Sequence, residues 1–273
     1  MPSYVITGAS RGLGYEFIRQ YSSDPNDTLI GLVRNKSATL QRVSEHPDLK
    51  ERRNIHILQA DVTDYNALQA AAAETAKITG GSLDYLIANA ALVPLFDSFD
   101  PIGTLSDQPE MVTKTLRKLF EVNVIGNIHL FKLFMPLILK GQAKKVVAIS
   151  TGLADTVFTN NYDLTTGSLY STSKAALNMV VAKYSAQYKK DGVLFLALSP
   201  GVVDTGRYDD LTAEQMEGLG GMMAKFVDYA PHFKGPITPE QSAIAVKSVI
   251  ANASIEKGNG GDFLSHLGNK QWL

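Results

Sequence analysis

Seven short apolar runs, separated by helical patterns, limit what this chain can fold into. They lie near Tyr4–Ile6, Thr28–Val33, Asn54–Leu58, Leu83–Ala88, Lys145–Ser150, Val193–Leu198 and Asp262–Leu264. Each is a continuous apolar stretch, not an alternation, which suits a strand covered on both faces. The intervals hold helical patterns of roughly 10–30 residues, long enough for right-handed crossovers between parallel strands. Thr63-Asp64 offers an N-cap to an alanine-rich helix over 65–78, and Thr238-Pro239-Glu240-Gln241 is a capping box opening a helix to about residue 253. No linker, composition shift or internal repeat divides the chain. The prediction is one doubly wound α/β domain over residues 1–273, built on a seven-stranded parallel sheet.

Two stretches interrupt the alternation. One runs from Ala91 to about Asp107 and carries Leu92, Val93, Pro94, Leu95 and Phe96. The other is an insertion over 206–236 with Met222, Met223, Phe226 and Tyr229. Long connections in compact domains tend to be functional, and ligands of open α/β sheets bind beyond the carboxyl ends of the strands. Both stretches follow strands, so they are expected to form the walls and lid of an apolar substrate cleft. Taken singly, any of these apolar residues could simply pack on the core.

The first strand breaks at once into Thr7-Gly8-Ala9-Ser10-Arg11-Gly12-Leu13-Gly14, and a helical pattern follows. Strand, glycine turn and helix in that order form the setting of a Rossmann-type dinucleotide site. Glycine lets backbone amides approach a pyrophosphate, and the helix N-terminus holds its charge. Cofactor choice follows from one position. A site reading NAD places an acid about 20 residues past the glycines, on the ribose 2′-hydroxyl. Here that place falls on Arg34, with Arg11 in the turn itself. A guanidinium can form a charge-assisted fork with a 2′-phosphate that a carboxylate would repel, which favours NADP(H). An arginine at a strand end can also be plain surface.

Tyr170-Ser171-Thr172-Ser173-Lys174 is the candidate reaction centre. Tyrosine and lysine at i and i+4 share a helix face, and an ammonium beside a phenol lowers a pKa that starts near 10. A tyrosine so tuned can protonate a carbonyl oxygen or take a proton from an alcohol. The spacing alone recurs by chance; its position, opening the helix between the fifth and sixth strands, gives it meaning.

Composition removes whole classes of function. The chain has 273 residues, net charge −1, no cysteine and five histidines without ligand spacing. Neither nucleic acid nor a membrane surface is an expected partner, and no metal site is expected. No uncharged apolar run approaches the ~18 residues of a membrane span, and a strand begins by Tyr4, so a cytoplasmic enzyme is expected.

Together these motifs resemble the short-chain dehydrogenase/reductase family, over essentially the whole chain, and most resemble its carbonyl-reductase-like and C-factor-like branch and some fungal secondary-metabolite ketoreductases. The resemblance makes Gly8, Ser10, Arg11, Leu13 and Gly14 candidate cofactor contacts, with Arg34. It implies that Asp61-Val62 meets the adenine and that Asn89, in Asn89-Ala90-Ala91, contacts the adenosine ribose. Asn123 matches the helix asparagine supporting the proton relay. Val203 and Thr205 match residues that hold the nicotinamide carboxamide. Ala88 and Ala91 replace the outer residues of the family's Asn-Asn-Ala-Gly motif, and being small they still allow close backbone approach. The fifth strand ends Ser150-Thr151 where the family commonly has Ser-Ser, and the gap to Tyr170 is longer than usual, so the substrate-orienting hydroxyl is Thr151 or Ser150.

By that analogy the enzyme reduces a ketone or aldehyde with NADPH. Thr151 or Ser150 orients the oxygen, Tyr170 protonates it, Lys174 holds the ribose and lowers the tyrosine's pKa, and Asn123 positions water. An isomerase on the same scaffold, or a non-catalytic NADPH-binding regulator, are the rival readings. The two long helical patterns, 109–140 and 170–190, are apolar on more than one face; in the family it resembles such helices commonly form a homodimer, while some members of the carbonyl-reductase branch are monomers.

Overall fold

The computed structural model describes residues 1–273. Seven strands form one all-parallel sheet: β1 (Ser3–Thr7), β2 (Thr28–Val33), β3 (Ile55–Gln59), β4 (Tyr85–Ala88), β5 (Lys145–Ile149), β6 (Leu194–Ser199) and β7 (Phe263–Ser265). Their order is β3-β2-β1-β4-β5-β6-β7, which reverses direction between β1 and β4. That reversal opens a crevice at the carboxyl ends of the strands, where ligands of such sheets bind. The strands expected from the sequence are all present, each displaced by no more than two residues at an end.

Ten helices connect them. The first half carries α1 (Gly12–Tyr21), α2 (Lys36–Glu45), α3 (Tyr65–Ile78), α4 (Ile102–Leu105), α5 (Pro109–Phe120) and α6 (Gly126–Ile138). The second half carries α7 (Thr156–Asn161), α8 (Ser168–Tyr188), α9 (Ala213–Tyr229) and α10 (Pro239–Asn252). Side chains alternate between the two faces of the sheet. Val5, Leu86, Val146 and Phe195 meet α6 and α8 through Phe131, Phe134, Leu177 and Val181. Ile6, Ile87, Val147 and Leu196 meet α1 and α10 through Phe17, Ile18, Val246 and Ile250.

The caps form as the residue types dictate. Asp64 accepts from the Ala67 amide, and Thr238 and Gln241 close a full capping box on α10. Two expectations are corrected. The helix expected over 109–140 is divided by a π-helical turn, Glu121–Ile125, and ends at Ile138. The insertion over 206–236 is no plain loop: it contains α9, opened by a second capping box of Thr212 and Gln215. Both corrections concern local hydrogen bonding that apolar periodicity cannot register.

Candidate active site

The carboxyl ends of the strands line a cavity of about 850 Å³. At one end lies the glycine turn. Gly8 and Gly12 take positive φ, 67° and 55°, which glycine adopts without strain. A Cβ on Gly14 would sit 2.4 Å from the Gly8 carbonyl oxygen, so glycine lets α1 start hard against β1. The N-cap of α1, Arg11, makes no side-chain cap, leaving the first amides of the helix for a ligand. Arg11 and Arg34 line the cavity, are exposed, and take part in no ion pair. Uncapped amides and two unpaired cations fit a dinucleotide carrying an extra phosphate.

The other expected cofactor residues meet here too. Ser10, Leu13, Asp61, Val62, Asn89, Val203 and Thr205 all border the cavity. Burial pushes the Asp61 carboxyl up, but the Thr63 amide and hydroxyl, at 2.9 and 2.8 Å, then Arg34 and Lys118, hold it below its usual value overall. Asn89 joins β4 to β1: its side-chain NH₂ donates to the Thr7 carbonyl at 3.0 Å, while the Thr7 hydroxyl accepts from the Asn89 and Ala90 amides. Its side-chain oxygen remains for a ligand.

Tyr170 stands midway along the cavity, in the first turn of α8. The N-cap position of α8 is Gly167, with no side chain to cap with. Asp97, from the first interrupting stretch, supplies the cap: its Oδ2 accepts from the Tyr170 amide at 2.8 Å and its carbonyl from the Gly167 amide at 2.7 Å. Sequence spacing gives no sign of this cap, because it comes from far away in the chain. Across the opening, Arg207 donates to the Pro94 carbonyl at 2.5 Å and to the Ser98 hydroxyl at 2.7 Å, joining the two interrupting stretches.

The two candidate hydroxyls separate. Ser150 is buried and donates to Oδ1 of Asn178 on α8 at 2.7 Å, away from the cavity. Thr151 lines the cavity; it accepts from the Leu153 amide at 3.3 Å, so its proton is free to donate. Ser150 as the orienting hydroxyl is therefore corrected: strand alternation turns it toward α8.

Two other expected members lie behind the wall. Lys174 is 2% exposed and donates to the Ile149 carbonyl at 2.7 Å, with its Nζ 5.9 Å from the centre of the Tyr170 ring. Burial pushes Lys174 down to about 7. Burial also lifts the Tyr170 phenol above its usual value, and the cation opposing this is Arg207, not Lys174. Desolvation is the largest influence on both groups. Asn123 sits in the π turn, fully buried, with its side chain holding both the amide and the carbonyl of Leu92 and donating to the Ser173 hydroxyl at 3.0 Å. That side chain joins the first interrupting stretch to α8, one turn beyond Tyr170.

The far end of the cavity is apolar, with Met222 and Phe226 of the second interrupting stretch joined by residues of α7 and by Trp272. Phe158, Leu164, Phe226 and Trp272 form a separate buried cluster, with Leu153, Met222 and Leu273 packed against it. It draws on α7, α9 and residues 267–273, and no local pattern announces such a gathering.

Residues 3–216 match the family model described as short chain dehydrogenase. A protein of Hypocrea virens named short chain dehydrogenase virK is 59% identical over 273 residues, covering 100% of both chains. The short-chain dehydrogenase/reductase iacC of Pestalotiopsis fici is 52% identical, again over 100% of both. Among solved structures, the NADPH-bound carbonyl reductase from chicken fatty liver is similar with TM-score 0.72 at 23% identity, and the carbonyl reductase Sniffer of D. melanogaster with TM-score 0.75 at 24%, each covering 98% of both chains. At those identities the likeness is one of fold.

Proposed function

The chain belongs to the short-chain dehydrogenase family, an oxidoreductase acting on CH–OH and C=O groups, and from that premise we propose that it reduces a ketone or aldehyde with NADPH, on a bulky apolar secondary metabolite. The observation carrying this reading is one continuous cavity that places Tyr170 and Thr151 between the glycine turn, with its free Arg11 and Arg34, and an apolar end. The NADPH-bound state of the chicken carbonyl reductase and the fungal source of the two relatives reported above are consistent with it.

NADPH, when bound, supplies the hydride. Thr151 donates its free proton to the carbonyl oxygen and fixes its position. Tyr170 then gives its phenolic proton to that oxygen. Arg207 stabilises the phenolate so formed, and Lys174, poised near neutrality, holds a proton behind it. Ser10, Leu13 and Gly14 cradle the phosphates. Asp61 and Val62 meet the adenine, Asn89 its ribose, and Val203 and Thr205 the carboxamide. Arg34, assisted by Arg11, selects the 2′-phosphate.

The proposal includes a cytoplasmic location and a homodimer. No helix is long and apolar enough to cross a membrane. Ile125, Ile128 and Met179 are exposed on the helices expected to pair, and sedimentation of the purified protein tests the dimer. The function itself is tested by following NADPH consumption with aromatic, polyketide-like, terpenoid and steroid ketones. Consumption with at least one is expected; NADPH binding without any consumption would leave the regulator reading in its place.

A further inference from the structure

The apolar end of the cavity is closed by a residue far from every family motif. Trp272 is 2% exposed, so only an edge of it meets the cavity, and its ring stacks on Phe263 with centroids 4.4 Å apart. It is held from the lid: its amide donates to the Tyr229 hydroxyl of α9 at 3.0 Å, and that hydroxyl donates to the Lys270 carbonyl at 3.2 Å. Space for it is made beside the reaction centre. A Cβ on Gly152 would lie 2.7 Å from the Trp272 Cβ, so the residue after Thr151 is glycine where the tail passes. The indole therefore stands behind the point where the substrate carbonyl is oriented, in an apolar cluster that includes Phe158, Phe226, Met222 and Leu153.

Resting on the reading of the cavity as a carbonyl-reduction site, we infer that Trp272 is its floor and sets its depth, making it the specificity-determining residue for ketones whose far end is an uncharged ring system. A large, rigid side chain stacked on Phe263 and fixed by Tyr229 cannot step aside for a longer substrate. Shortening it lengthens the cavity at the end opposite the cofactor.

The test is a ring series, acetophenone, acetylnaphthalene and acetylanthracene, with the wild type, Trp272→Phe and Trp272→Ala. The ratio of kcat/KM for acetylanthracene over acetophenone is expected to rise roughly ten-fold or more in Trp272→Ala, with Trp272→Phe in between. Using a ratio within each variant cancels any general loss of activity, and NADPH binding verifies that each variant is folded. Trp272→Phe keeps an aromatic ring on Phe263, so it remains informative if Trp272→Ala does not fold. An unchanged ratio, or equal losses on all three ketones, overturns the inference. The same ratio is read from calorimetric Kd values without turnover. If the wild type consumes no NADPH yet the Kd ratio shifts as stated, the reaction assigned above fails and the floor stands. If NADPH is consumed but neither ratio moves, the floor fails and the reaction stands.

Discussion

The two ends of the cavity are built on opposite plans. The cofactor end is made largely by backbone, through positive φ at Gly8 and Gly12 and the uncapped start of α1, with the Thr7 and Asn89 side chains linking β1 to β4. The substrate end is made by side chains from α7, α9 and residues 267–273 meeting in one aromatic cluster. A backbone-built site tolerates little change because each position is fixed by geometry. A side-chain-built site can be reshaped one residue at a time, so one frame can hold a fixed cofactor and a changeable substrate.

Substitutions can break or sharpen this contrast. The largest effect falls where the ends meet: Tyr170→Phe removes the proposed proton donor, and ketone reduction is expected to fall about a hundred- to ten-thousand-fold with NADPH affinity retained. Full activity in steady-state assays would place the acid elsewhere. At the cofactor end, Arg34→Asp is expected to move the NADPH-to-NADH preference roughly ten- to a hundred-fold toward NADH, the worth of a charge-assisted contact. A ratio of kcat/KM values that stays put would refute the role given to Arg34.

Behind the wall, pH gives a third handle. Lys174 falls from its ordinary 10.5 to about 7 in the folded chain because it is buried. Between those values the unfolded chain binds a proton that the folded one does not, so this group makes stability rise with pH across that window, by up to about 1.4 kcal/mol per pH unit. Below it the contribution is constant at its least favourable. Lys174→Met is expected to flatten the rise, read by urea unfolding of the cofactor-free protein. The smallest effect belongs to the substrate end. Tyr229→Phe removes the hydroxyl that holds Lys270 and Trp272, and is expected to lower stability by about 1 kcal/mol and weaken ketone binding, leaving NADPH affinity unchanged.

The same contrast explains what the sequence makes legible. The strands, the glycine turn, the Thr238 capping box and the placing of Arg34 depend on local pattern, and each stands where that pattern puts it. Ser150 and Thr151 are neighbours of nearly equal chemistry, and only strand alternation against Asn178 tells them apart. Asp97 caps a helix that begins some seventy residues further on, and Arg207 crosses from one interrupting stretch to the other; neither contact has a local signature. Lys174 illustrates a different limit. It stands one turn beyond Tyr170 as the spacing puts it, yet burial, which spacing does not report, pushes it down to about 7.

The excursion carrying α9 begins and ends at one point. Val203 pairs with Ile237 in a parallel bridge, with the Ile237 amide donating to the Val202 carbonyl at 2.8 Å and the Asp204 amide to the Ile237 carbonyl at 2.9 Å. A segment whose ends are already clasped can be lengthened, shortened or exchanged at small entropic cost, because the sheet never registers its length. In evolutionary terms the clasp makes the part of the excursion beyond Thr205 and Arg207, residues 208–236, a cassette. New substrates can be tried by replacing the cassette while the cofactor machinery descends unaltered.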